Sequence, residues 1–382
     1  LFLESSQDEH EPKKPITFTG STNQVSHLAD VFSSITTINT QALMVISLKG
    51  INIYAEYNHI LNAHLTIDPS LFSTYNIYSE DDGPTPTSLS DLESQELRLG
   101  IDVSLIAESF SAAATTGSKG GNAASGSTNV SAANNNDNVV CYITYNGEGH
   151  PLIIEFEDRL MNEKIEFLTF YLDIRYPYDP NEIEDEEQYD LIVNPSEIHF
   201  EVILRSDVFT NLLQDLQQIN TVDLYIFVSN KYRNLGEKPG QPSRNYNRVA
   251  FMDNQLNFIS KGAIGHLKLL FPNHKVMLEK LDIFKKNQSD EMIQTQSSLI
   301  TCYNFTNFIK IFKAVKLSSK CKIMKDLSGI LSVQLLCKNP KLPNYAGTLI
   351  TFNMLEISTV TDEFGTDDLT ELSLNNIFDD DF

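Results

Sequence analysis

Glu155 and Glu157 lie two apart in an apolar, strand-like run, so both carboxylates are expected on one face, as a two-metal nuclease requires. An exposed acidic strand edge has the same pattern and is far commoner. His59 and His64, five apart in alternating sequence, are expected on opposite faces of a strand and so do not share a metal. No H-E-x-x-H pair occurs. Thr116-Gly-Ser-Lys-Gly-Gly121 is not a phosphate loop, because Lys119 precedes Gly120 and no strand-to-helix transition frames it. Neither a metal nor a cofactor is expected. The chemistry left is electrostatic. Lys310, Lys313, Lys316, Lys320 and Lys322 follow one another closely, and Lys310 is predicted to project from the helix face opposite Phe305, Phe308 and Phe312, with Lys313 on its flank. Such a row suits sequence-independent contact with phosphates, although a helix merely solvated by lysine reads the same way.

The charge balance sharpens that question. The net charge is −23 over 382 residues, which by itself opposes a nucleic-acid partner. The distribution is polarised, however: Arg205 to Lys341 holds 20 basic against 10 acidic residues, leaving 8 basic and 41 acidic residues elsewhere. A basic surface can then face phosphates while an acidic exterior discourages unspecific contact. An apolar content of 41% supports folding into two or three domains, and no apolar run approaches the ~20 residues that span a bilayer. The start, Leu1-Phe-Leu-Glu-Ser-Ser-Gln-Asp8, lacks the features of a signal peptide, and the missing initiator Met suggests a trimmed chain. Cys141, Cys302, Cys321 and Cys337 sit singly in apolar runs, as buried thiols of a reduced nuclear or cytosolic compartment would.

Two similar halves must position these residues. In the first, Val25, Leu28, Val31, Phe32 and Ile35 form a helical stripe, followed by strands at Leu43 to Leu48 and Ile51 to Glu56. In the second, Val208, Leu212, Leu213, Leu216 and Ile219 precede strands at Val222 to Ser229 and Val249 to Asp253. A second helix in each half carries apolar residues at identical spacing, Val103, Ile106, Ala107 and Phe110 against Phe305, Phe308, Ile309 and Phe312. Closing strands follow: Val139 to Tyr145, Pro151 to Phe156 and Lys164 to Tyr171 in the first half, then Cys321 to Met324, Leu331 to Leu336 and Leu349 to Leu355 in the second. The domains expected are 16–172, with a low-complexity insertion at 112–138, and 197–355. An acidic linker at 173–196 joins them, and 356–382 reads as a disordered acidic tail.

Gly147 and Gly149 turn the chain between two β-rich runs in Tyr145-Asn-Gly-Glu-Gly-His-Pro-Leu152, which reads as a tight hairpin with Pro151 opening the return strand. This Tyr-x-Gly-x-Gly-x-Pro-Leu pattern resembles the checkpoint sliding clamp family, the nine-one-one heterotrimer related to proliferating-cell nuclear antigen, and within it the Rad-one-type subunit. Gly50-Ile-Asn-Ile-Tyr-Ala-Glu56 with Leu61-Asn-Ala-His-Leu65 and Phe72, Gly262-Ala-Ile-Gly-His-Leu267 and Ser328-Gly-Ile-Leu-Ser-Val-Gln334 extend the resemblance over most of Phe18 to Leu355. The insertion, the longer linker and the tail depart from it.

The resemblance implies an α+β sliding-clamp fold of two similar domains, each with an antiparallel sheet outside and two helices on the inner face. It implies a non-catalytic, nuclear subunit that joins two other clamp subunits, encircles double-stranded DNA at damage, is loaded by an ATP-driven clamp loader, and recruits checkpoint and repair clients. The five lysines would then face DNA, although Glu108 stands where Lys310 has its counterpart in the first half, so the other ring members would supply much of the charge. Strands Lys164 to Tyr171 and His266 to Phe271 are plausible ring edges. Leu191, Ile192 and Val193 would border a client-docking pocket, or simply enter the next strand. A 3′-to-5′ exonuclease using Glu155 and Glu157 and a homotrimeric replication clamp are the two alternatives.

Overall fold

Amphipathic helices need a sheet face to cover, and this chain supplies one for each of them. The computed structural model describes residues 16–79, 96–119, 139–159, 162–172, 191–230, 232–233, 251–252, 254–263 and 265–357. The described residues within Leu1–Phe32, Thr40–Ile53 and Thr66–Ile174 make one compact unit; those within Ser33–Asn39, Tyr54–Leu65 and Arg175–Phe382 make the other. The segments 173–190 and 358–382, which hold most of the expected linker and tail, lie outside the described residues.

In the first unit, β1 (Ile16–Thr22), β5 (Thr74–Ser79), β7 (Val140–Tyr145), β8 (Leu152–Glu157) and β9 (Asn162–Phe167) form an antiparallel sheet in the order β5-β1-β7-β8-β9. β2 (Gln41–Ser47) pairs antiparallel with β6 (Leu97–Asp102). Helices α1 (Val25–Ile35) and α2 (Val103–Lys119) supply the apolar layer. The fully buried Phe110 ring meets Phe32 at 5.2 Å and Phe156 at 5.1 Å, edge to face in both cases. The expected hairpin is present: Gly147 and Gly149 adopt φ of 105° and 84°, and Tyr145 sits opposite Leu152. α2 differs from expectation. It runs past Ala112 to Lys119, into the stretch read as flexible, because Ala113 still falls on the buried stripe and alanine favours the helix.

The chain passes between units within α1, after Phe32, again after Asn39, and within β3 (Gly50–Tyr57) and β4 (Leu61–Ile67). The second unit contains β10 (Ile198–Arg205), α3 (Ser206–Gln218), β11 (Thr221–Ser229), the short pair β12 (Tyr232–Arg233) and β13 (Phe251–Met252), β14 (Gln255–Gly262) and β15 (Gly265–Leu270). Then come β16 (Leu278–Lys286), β17 (Met292–Gln294), β18 (Ser298–Asn304), α4 (Phe305–Phe308), a 3-10 turn (Ile309–Ile311), α5 (Phe312–Leu317), β19 (Lys320–Asp326), β20 (Ile330–Cys337) and β21 (Thr348–Leu355). One sheet runs β17-β16-β10-β19-β20-β21 and the other β15-β14-β11-β18. Phe209 of α3 meets Phe258 at 5.4 Å and Phe308 at 6.4 Å, joining the helices to the four-stranded sheet.

Three local expectations are corrected. The long partner of β11 is β14, not Val249 to Asp253, of which only β13 is a described strand; β14 was hidden because its residues are nearly all apolar or uncharged and show no alternation. The strand expected to reach Tyr171 ends at Phe167, after which Phe170 exchanges two backbone hydrogen bonds with Gly100 of β6, at 2.8 and 3.0 Å. His59 stands in the turn before β4 at φ 55° rather than on a strand.

Gly100 admits this crossing because a Cβ there would lie 2.4 Å from the Phe170 carbonyl oxygen. Gly100→Ala should therefore destabilise the protein by roughly 2–4 kcal/mol in urea unfolding, since backbone and not a flexible side chain must move.

Candidate functional site

The lysine row is carried by a helix whose phase is shifted in the middle. Asn304 caps α4, its side-chain oxygen accepting from the Asn307 N–H at 3.3 Å. The following 3-10 turn advances three residues through a full rotation instead of about 300°. The buried positions accordingly run Phe305, Phe308, Ile311 and Ala314, three apart, with Val315 buried beside the last, and Ile309 and Phe312 are only half-buried. The expected α-helical stripe through Ile309 and Phe312 is corrected for this reason. Lys310, Lys313 and Lys316, also three apart, fall together on the outward side.

Lys310 is nevertheless not free. Its Nζ donates to the Thr37 carbonyl at 2.8 Å, the Thr37 hydroxyl donates back to the Lys310 carbonyl at 2.8 Å, and the ammonium lies 4.2 Å from the centre of the Tyr57 ring. Thr37, Tyr57 and Lys310 all belong to the second unit, so this lysine is a fastening within it. Lys313 and Lys316 are exposed; the Lys313 Nζ donates to the Ser33 hydroxyl at 3.4 Å.

Lys320 and Lys322 are not on this surface. They alternate along β19 with the buried Cys321 and Ile323, so they point away from the face the helices cover. Lys320 pairs with Glu279 at 2.8 Å and Lys322 with Glu201 at 3.6 Å, and Lys280 joins Glu201 and Asp282 at 3.1 and 3.2 Å. Lys325, buried, is ion-paired with Glu356. Several lysines of the basic segment are thus held by carboxylates, two of which, Glu201 and Glu356, come from outside it. The exposed side of α3 shows Asp207 and Asp215 and no cation, so Lys313 and Lys316 dominate the positive charge there.

Leu191 is buried, and its carbonyl accepts from Asn62 Nδ2 at 2.9 Å, while Asn62 Oδ1 accepts from Asn353 at 3.1 Å. The Asn194 N–H donates to Asp326 at 3.0 Å, which pins the same segment to the turn before β20. Ile192 is 40% exposed and Val193 half-buried, so the outward apolar group of the trio is Ile192. Asn62 and Asp326 were not singled out from sequence. Asp326 had a detectable signal in the Asp-Leu-Ser-Gly turn, whereas Asn62 had none.

Glu155 and Glu157 do share a face of β8. Glu155 lies across from Lys164 on β9 and Tyr142 on β7, and Glu157, hydrogen-bonded to Tyr142, raises that phenol above its usual pKa. His64 stacks on Tyr54 at 4.3 Å, and burial pushes its imidazole down to about 4, so it is neutral at physiological pH. Among the described residues no group of three or more His, Cys, Asp or Glu is placed to hold a metal.

Two units of antiparallel sheet carrying helices on one face, each ending in an open strand, define the sliding-clamp class. Solved clamps share the fold: a PCNA from Thermococcus kodakaraensis matches with a TM-score of 0.54 at 9% identity over 89% of this chain and 100% of that one. A PCNA2-PCNA3 complex from Sulfolobus tokodaii gives 0.53 at 10% identity, covering 88% and 98%. Within that class the chain belongs to the family of repair proteins Rad1/Rec1/Rad17, whose model matches residues 17–337. It is 24% identical to the DNA damage checkpoint control protein RAD17 of Saccharomyces cerevisiae over 84% of this chain and 65% of that protein, so it spans just under two thirds of that relative's length. To the checkpoint control protein rad1 of Schizosaccharomyces pombe it is 24% identical, covering 76% of this chain and 72% of the relative.

Lys310→Ala should lower stability by about 1–2 kcal/mol in urea unfolding, through the lost bond to Thr37 and the lost ring contact, while Lys313→Ala and Lys316→Ala stay within about 0.5 kcal/mol of the parent.

Proposed function

We propose that this chain is a non-catalytic subunit of a heterotrimeric checkpoint clamp that joins two other clamp subunits, encircles duplex DNA at damage and recruits signalling and repair proteins in the nucleus. The observation that carries the reading is the conjunction of Rad1/Rec1/Rad17 family membership with a clamp fold whose units each end in an open strand, β9 and β15. Head-to-tail pairing of such strands builds rings when the rotation closes. Loading by an ATP-driven clamp loader belongs to the same proposal, as does docking of clients at an apolar surface that includes Ile192.

DNA contact is proposed for Lys313 and Lys316. Two exposed cations beside Asp207 and Asp215 attract a duplex weakly, so the partner subunits would contribute most of the charge. Lys310 would act by fixing the helix that presents them, and Lys320 and Lys322 would make no DNA contact.

The deciding experiment is native mass spectrometry of the chain alone and co-expressed with the two candidate partner clamp subunits. A monomer that becomes a one-to-one-to-one complex supports the proposal; a homotrimer alone would move it to replication, and a persistent monomer would return attention to Glu155 and Glu157 as nuclease carboxylates. Within an assembled ring, Lys313→Glu with Lys316→Glu should weaken duplex binding about 3–10-fold at low salt and flatten its salt dependence, with the ring intact.

A further inference from the structure

Phe258 and Tyr303 lie on the face of the four-stranded sheet that meets the helices, through Phe209 and Phe308. Phe227, Ile259, Ile300 and Cys302 alternate with those two residues and their cross-strand partners, so they lie on the opposite face. All four are nevertheless buried, at 7% exposure or less. Tyr225, from the same face, and Ile357, the last described residue, pack against them. The Ile357 N–H donates to the Cys302 carbonyl at 2.8 Å, just after Glu356 has bonded to Gly329 and paired with Lys325. The chain thus leaves β21 and arrives at the β18 margin of this face. Asn257 lies in one row with Phe227 and Ile300, is 1% exposed, and its amide nitrogen has no hydrogen-bond partner among the described residues. A buried donor left unpaired is costly, and a carbonyl passing over the face would meet it. The far side of the face is cationic: Lys261 and Lys268 are exposed there, and Asp223 is the one acid these four strands place on it.

We infer that the acidic segment following Ile357 docks on this face of its own chain and sets Asp362 and Glu363 against Lys268 and Lys261. Cys302, Tyr225, Ile259 and Lys268 form one row across the sheet. The row spans three strand spacings, about 14 Å. Five residues of extended chain cover that distance at roughly 3.3 Å each, which carries the chain from Ile357 to Asp362. Residues 358–382 hold eight acidic residues and no basic one, so they complement the two lysines. Residues 234–250, the other segment near this sheet that lies outside the described residues, hold Lys238, Arg244 and Arg248 against Glu237, and the lysines repel them. Docked there, the tail closes an apolar surface to other proteins, and a competing acidic segment has to displace it first. The inference concerns one unit of the chain and stands apart from the clamp reading.

The test uses the full chain by itself. Zero-length carbodiimide cross-linking followed by peptide mass spectrometry should join Asp362 or Glu363 to Lys261 or Lys268, and a mixture of isotope-labelled and unlabelled protein should show the links to lie within one chain. The protein has no tryptophan, so Thr359→Trp supplies a single reporter on the same side of an extended chain as Ile357. Its emission should be that of a covered indole. Adding Lys261→Glu and Lys268→Glu, both at exposed positions, should leave thermal unfolding close to that of the parent, move the emission to the solvent value and raise quenching by acrylamide roughly threefold. Adding Asp362→Lys and Glu363→Lys as well should restore the covered state. Cross-links scattered over lysines throughout the chain, or an indole exposed from the start, overturn the inference and leave the face to residues 234–250 or to another protein. Links between chains overturn it in favour of a second copy, and an indole that stays covered through the charge reversal overturns the placement of the carboxylates.

Discussion

Burial of one sheet face under helices, centred on a single aromatic ring in each unit, is the constraint from which the rest follows. Phe110 in the first unit and Phe308 in the second are fully buried, and each holds helix to sheet through other aromatic rings. Removing so large a side chain from a packed core costs about 3–5 kcal/mol. Once these rings are placed, the outward side of every helix is fixed, and with it the side on which a basic residue is exposed.

The same constraint separates the lysines into three kinds. Those three apart on the α4–α5 segment follow the shifted phase of the helix, and the first of them is captured by Thr37 and Tyr57. Those on β19 are turned to the opposite face by strand alternation and meet Glu201 and Glu279. Exposed pairs of that kind contribute little stability, generally under about 1 kcal/mol, and their effect is to neutralise a surface that composition alone presents as basic. Lys268 is the third kind, a cation at the open edge of a sheet. Among the described residues, Lys313 and Lys316 are thus exposed cations on the helix layer that no carboxylate meets.

The first-half helix stripes, most closing strands and the glycine hairpin were legible because each rests on contacts within a few residues, whereas the stripe through Ile309 and Phe312 and the strand expected to reach Tyr171 were not. Gly147 and Gly149 need positive φ wherever the hairpin is placed, and the stripes through Leu28 and Phe32 or Leu212 and Leu213 are buried as their spacing requires. The turning of Lys320 and Lys322 away from the helices could also have been read, since Cys321 and Ile323 alternate with them. β14 was not legible, because a strand covered on both faces loses its period of two.

The sequence by itself determined the local elements, the repeat of helix and strands in both halves, and the polarised charge, all properties of neighbouring residues. Tertiary structure alone decided the fate of individual side chains. Lys310 finds its partner 273 positions away, Asn62 reaches Leu191 across 129, and Glu356 meets Lys325 only after β21 has been added to the sheet. No local pattern encodes such meetings, because a side chain's partner depends on which strands become neighbours, and that is settled by the burial of the whole sheet.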